Sequence, residues 1–201
     1  YKRTADLVVI EGPEAGGHLG FKKEELAEYT QESYGEEIRK ILRTVKRYAE
    51  KYHTEIPVVA AGGIYDSSDV RRVMELGVDG VQVATRFVTT EECDADIRYK
   101  QAYVNAAKED IMIVKSPVGM PGRAILNPLM EQVAKGIQIA HSPCHRCLAK
   151  CNPADIPYCI TDGLINAVKG NVEKGLLFCG AKAWKAEKID TVRDAIQELF
   201  A

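Results

Sequence analysis

Apolar and polar positions follow two rhythms along the first ninety residues of the chain. Residues 6–11 (DLVVIE), 56–61 (IPVVAA) and 80–85 (GVQVAT) are short, nearly continuous apolar runs, as expected of strands buried on both faces. Between the first two runs, Ile38, Ile41, Leu42, Val45 and Tyr48 recur at helical spacing, with Arg39, Lys40, Arg43 and Lys46 on the other side. Between the last two, Val70, Val73 and Met74 do the same behind Ser67 or Ser68, either of which suits an N-cap. This strand–helix–strand–helix–strand order predicts parallel β-structure with right-handed crossovers.

Beyond Thr90 the pattern changes. A helix is predicted over 95–108 (Tyr99, Ala102, Tyr103, Ala106), and DIMIVK (110–115) suggests a short extra strand. The segment 116–128, SPVGMPGRAILNP, is rich in Pro and Gly and reads as a surface loop. Further helices are predicted near 128–139, 156–169 and 190–200. Three parallel strands cannot close a barrel, which needs about 250 residues. Either the sheet is open and small, or its other strands lie upstream of Tyr1; the abrupt start favours the second. The expected organisation is a strand-rich portion over 1–115, a covering loop and helix over 116–140, and a Cys-containing, helical extension over 141–201.

Composition narrows the classes. Apolar residues make up 46% and charged residues 28%, ordinary for a soluble globular protein. A net charge of -2 gives no support to a nucleic-acid or acidic-membrane partner. No apolar run approaches the roughly 20 residues that span a bilayer. A secretory leader is not visible either, so the expected location is the cytoplasm.

Ligands of parallel α/β proteins collect where strands end. Here those ends carry Gly12 to Gly20, Gly62-Gly63 and Ala84-Thr85. Such glycines form either plain tight turns or a main-chain phosphate cradle. The first loop, EGPEAGGHLG, matches neither G-x-G-x-x-G nor the P-loop. What it presents is His18, which is either a solvated loop histidine or an acid–base group that titrates near neutrality. His53, His141 and His145 have weaker claims.

Taken together, EGPEAGGHLG, PVVAAGGI and DGVQVATRFVTTEECDADIRYK resemble the nitronate monooxygenase family, which shares a superfamily with flavin-dependent enoyl-ACP reductases. The resemblance covers about residues 5 to 128. It implies an α/β chain forming the C-terminal part, the last three strands, of an FMN-dependent (β/α)8 TIM barrel, with about five strands elsewhere. His18 then matches the family's active-site histidine. Ala15, Gly16 and Gly17 would lie beside the flavin. Gly62 and Gly63 would hold the FMN phosphate, joined by Gln82, Ala84 and Thr85. The family usually has Gly where this chain has Ala84, and Arg86 is expected to pair structurally. Met120 and Arg123 would be contacts of a substrate-covering loop.

The implied activity is oxidation of alkyl nitronates by O2 to a carbonyl compound and nitrite. The alternatives are an NAD(P)H-dependent reductase of enoyl thioesters or quinones, a non-catalytic phosphate-ligand module, and an electron-transfer protein. The expected partners are a small-molecule substrate and, as an assembly to test, a second copy of the chain in a homodimer.

Four of the six cysteines, Cys144, Cys147, Cys151 and Cys159, fall in the spacing C-x2-C-x3-C-x7-C. Four thiolates so spaced suit an iron–sulfur cluster or a tetrahedral zinc. The alternative is a set of reduced, partly buried thiols. Cys93 and Cys179 belong with the second reading.

Overall fold

A computed structural model describes residues 5–149 and 151–201. Residues 1–4 of the expected first portion, and Lys150 between two of the clustered cysteines, lie outside the described residues. In chain order the elements are β1 (Val8–Glu11), β2 (Gly17–His18), α1 (Lys23–Glu28), α2 (Gln31–Tyr52), β3 (Val58–Ala61), α3 (Ser67–Met74), β4 (Gly80–Gln82), α4 (Thr85–Val88) and α5 (Ile97–Val104). Then come β5 (Ile111–Lys115), β6 (Pro121–Ile125), α6 (Pro128–Ala134), α7 (Ile160–Val168) and α8 (Val192–Leu199). Among the described residues no helix is long and apolar enough to cross a membrane.

The three apolar runs form one parallel sheet in the order β1-β3-β4. Pairing of Ile10 with Ala60 and of Ala60 with Val81 lines one face with apolar side chains, because in-register residues share a face. That face packs against α2, α3 and α8 through Ile38, Val70, Val73 and Leu199. The apolar stripe on α2 makes this possible, and the helix starts where Thr30 Oγ1 accepts the Ser33 N–H at 3.1 Å. The cap of α3 is Asp66, which accepts from the Asp69 N–H, and not the predicted Ser67 or Ser68. Both serines sit inside the first turn, where Asp66 already accepts the Asp69 N–H and Ser68 Oγ donates to Asp66 Oδ1 at 2.6 Å.

The opposite sheet face is covered far less. Val9 is 42% exposed there. Towards the strand ends that face carries Glu11, Ala61 and Gln82, which are mutually in register.

The second sheet corrects the predicted loop over 116–128. Residues 121–125 are strand β6, which pairs antiparallel with β5 along Ile111↔Ile125 to Lys115↔Pro121. Proline was the misleading signal: Pro121 begins the strand, a position where its missing N–H leaves the ladder intact. On its other edge β6 pairs with β2, setting Gly17 opposite Arg123 and His18 opposite Gly122. A boundary at 115/116 therefore falls inside a hairpin, whose turn closes with Ser116 N–H donating to Met120 O at 3.3 Å. Two further apolar clusters, around Tyr103 and Leu177 and around Tyr158 and Leu176, pack on this sheet.

Candidate active site

The ends of β1, β3 and β4 open into one cavity. Ala15, Gly16, Gly17, Gly62, Gly63, Gln82, Ala84 and Thr85 all line it. The parallel register brings the three strand ends to one level, so loops far apart in sequence meet. Gly62 and Gly63 both have positive φ, at 89° and 71°, which turns successive backbone groups into the cavity mouth. A Cβ on Gly63 would lie within van der Waals overlap of Glu14, whose carboxylate rests over the turn. The Glu14 carboxylate, 38% exposed, thus occupies the space over Gly63.

Lys182 supplies the cation on this wall. It ion-pairs with Asp69 and lies 4.0 Å from the Glu14 carboxylate. Asp69 also accepts the Tyr65 N–H at 3.1 Å, which ties the glycine turn to the start of α3.

His18 stands just outside the lining, on β2. Its Nε2 is 2.7 Å from Ser116 Oγ, and its ring meets Phe178 edge-on at 4.9 Å between centroids. Phe178 lines the cavity, so the imidazole adjoins the same space. Partial burial pushes the His18 pKa below its usual value, which favours neutral imidazole at neutral pH. Behind Ser116, the Tyr158 hydroxyl is buried without a hydrogen-bond partner among the described residues. Burial raises that hydroxyl to about 12, so it stays protonated.

The segment after Leu177 forms the remaining wall, which the sequence did not reveal. Cys179 N–H donates to Arg123 O at 3.1 Å, Gly180 N–H to Thr85 Oγ1 at 2.9 Å, and Ala181 N–H to Glu14 O at 3.0 Å. This strap thus laces β6, the end of β4 and the first loop together. A Cβ on Gly16 would sit 2.6 Å from the Cys179 carbonyl carbon, which explains the glycine there. Only the bare run GLLFCG hinted at it, an apolar stretch too short for its partner to be read.

Of the two expected loop contacts, Met120 lies in the turn between β5 and β6, while Arg123 lies on a strand. Met120 is 42% exposed at the hairpin tip. Arg123 lies on β6 and donates to Ala15 O, holding the first loop from beneath. Arg86 is 3% exposed and pairs with Asp190 and Glu198 at 2.6 Å each, as the structural reading expected. Cys179 is buried, and its thiol is pushed up to about 12 by that burial, so it is an unreactive packing group. Cys144, Cys147, Cys151 and Cys159 lie outside the cavity, in the stretch between α6 and α7.

The nitronate monooxygenase family model matches residues 1–201. A probable nitronate monooxygenase of Staphylococcus saprophyticus is 33% identical over 128 residues, covering 64% of this chain and 34% of that protein. One from Bacillus subtilis is 31% identical over 131 residues, covering 65% and 35%. Among solved structures, FabK from Thermotoga maritima matches 97% of this chain and 53% of its own with a TM-score of 0.69 and 27% identity. A nitroalkane oxidase from Streptomyces ansochromogenes has the same fold, with a TM-score of 0.64 at 23% identity.

The matches thus span about a third of the length of these curated relatives and about half of the solved FabK chain. The three-stranded parallel sheet and its flanking helices are accordingly a portion of a TIM-barrel-like α/β fold. With a family model matched from its first residue to its last, this chain belongs to the nitronate monooxygenase family.

Proposed function

We propose that the chain carries the C-terminal half-site of an FMN-dependent oxidoreductase that oxidises alkyl nitronates with O2 to a carbonyl compound and nitrite. The observation that supports this reading is the convergence of the two positive-φ glycines and the ends of β1 and β4 on one cavity, with His18 just outside it against Phe178. Those residues fit FMN. Gly62 and Gly63 would offer main-chain donors to its phosphate, and Gly17, where an added Cβ would meet nothing nearer than Phe178 at 4.0 Å, leaves room beside the ring. Bound there, the flavin would supply the redox chemistry.

The chain's own contribution is orientation and a proton path. Neutral His18 accepts a proton from a nitroalkane carbon or hydrogen-bonds the nitronate, and Ser116 fixes its ring through Nε2. Phe178 shields one side of the imidazole from water.

Oxygen uptake by the complete protein with an alkyl nitronate tests this reading. Turnover is expected, and His18→Ala should slow it by about 10²–10⁴-fold; no uptake with any nitronate would overturn it. The likeness to FabK favours a second reading, NAD(P)H-dependent reduction of an enoyl thioester or quinone. NADH oxidation dependent on such an acceptor, without nitronate turnover, would select it.

A further inference from the structure

We propose that His145, Cys159 and Asp162 form a mononuclear zinc site, distinct from the flavin cavity, whose fourth position opens into a second cavity. Among the described residues they are the one group of histidine, cysteine and carboxylate side chains whose ligand atoms, one from each, all lie within 4.8 Å of one another. Of the four clustered cysteines, only Cys159 belongs to it. Nitrogen, sulfur and oxygen in one set suit zinc, which takes all three, and do not suit calcium or magnesium, which take oxygen. A thiolate, a carboxylate and a neutral imidazole also sum to two negative charges, which a divalent cation cancels.

The three side chains come from two segments that hydrogen bonds hold together. Ile139 N–H donates to Pro157 O at 2.8 Å, and Gln138 Nε2 donates to Ala154 O and Ile156 O. His141 Nδ1 lies 2.7 Å from Ser142 O and its Nε2 3.1 Å from Pro153 O, so that ring fastens the loop and is no ligand. On the second segment, Cys159 is the N-cap residue of α7, and Asp162 is in its first turn.

Asp162 is held as a metal-binding carboxylate is held, by donors outside the ligand set. Ser142 N–H donates to its Oδ2 at 2.9 Å and Ser142 Oγ to its Oδ1 at 2.8 Å. His145 Nε2 is 2.7 Å from the same Oδ1, and the proton between them stands where the metal goes. Tetrahedral zinc sets its ligands about 3.3–3.8 Å apart. The His145–Asp162 pair therefore widens and the sulfur draws in, small motions for one exposed and two half-buried side chains.

Cys159 and Asp162 also line a cavity that shares no lining residue with the flavin cavity. Three protein ligands and an open position are the pattern of zinc sites that keep a water or a substrate. Tyr158, only 1% exposed and with its hydroxyl unpaired among the described residues, lines the same cavity. The space thus holds a buried polar group that no described protein group satisfies.

The test is cobalt(II) titration of the complete protein after chelator treatment, read as difference spectra over any flavin. One cobalt per chain should bind, with a thiolate-to-metal charge-transfer band in the near ultraviolet and tetrahedral d–d bands, and zinc should displace it. His145→Gln and Cys159→Ser should each weaken binding by about 100-fold and Ser142→Ala by about tenfold, while Cys147→Ser and Cys151→Ser retain it. Absence of the charge-transfer band from the unsubstituted protein would overturn the proposal. So would full binding by His145→Gln, or its loss in a Cys147→Ser protein whose circular dichroism is unchanged. The band is read on unsubstituted protein, so a misfolded variant leaves the test intact, and no readout depends on nitronate turnover.

Discussion

His18 owes its character to two contacts and to partial burial rather than to its own loop. Ser116 Oγ holds Nε2, Phe178 covers an edge, and partial burial disfavours the charged ring. Its folded pKa is lowered, so the unfolded chain binds a proton more readily than the folded one. The contribution to stability is therefore fully present above the ordinary value near 6.5 and is lost as pH falls through the folded pKa. Titration of the imidazole by NMR should give a midpoint below 6.5. Nitronate turnover by the complete protein should fall on the acid side of that same midpoint. Ser116→Ala frees the ring to rotate, and we expect about a tenfold lower kcat, or about 1.4 kcal/mol in barrier, with little change in KM. An unchanged kcat would remove Ser116 from the proton path.

At the scale of elements, the cavity depends on a strap that no periodicity announces. Residues 178–181 hold it closed with backbone hydrogen bonds to β6, to Thr85 and to Glu14. Gly16→Ala forces a methyl into the Cys179 backbone, so the strap must move outward. Overpacking of this kind costs about 1–3 kcal/mol, to be read as a lower urea midpoint. It should also weaken FMN binding by the complete protein, followed by flavin fluorescence. The short strands β2 and β6 were hidden for a related reason: β2 has only two residues, and β6 contains Pro121, Gly122 and Arg123. Neither composition nor alternation marks such segments, and the pairing of β2 with β6 joins residues about a hundred positions apart.

Across the whole molecule, the C-terminal helix is fixed to the sheet end by buried charge. Arg86 of α4 bridges Asp190 and Glu198, while Lys188 reaches Asp190 from the other side at 2.9 Å. Burial raises the Asp190 carboxyl, but hydrogen bonds from Lys188 and Arg86 outweigh it and leave the pKa below the usual carboxylate range. That stability is present above the ordinary Asp value and is lost as pH falls through the folded one. Arg86→Met leaves Asp190 buried with a single partner and should cost about 3 kcal/mol in chemical denaturation. A second whole-molecule feature is the sheet face carrying Val9, which stays 42% exposed. With one face of the sheet so open, the 201-residue chain alone should bind FMN far more weakly than the complete protein; equal affinities in a fluorescence titration would contradict this.

The parallel sheet, its helices and its strand-end glycines were legible because each rests on local regularity. Apolar runs mark β1, β3 and β4, a 3.6-residue stripe marks α2, and Gly62-Gly63 stand where a left-handed turn is needed. His18 was legible only as a candidate, since a histidine between glycines is equally at home in solvent. Its distinction comes from Ser116, nearly a hundred residues later, and from Phe178, later still. The same holds for Arg123, which the sequence offers as a loop side chain and the fold turns into a support beneath Ala15. The sequence by itself determined which segments bury apolar surface and where the backbone must bend. Only the tertiary structure decided which side chains meet across those bends, because strand register and long-range backbone pairing have no local signature.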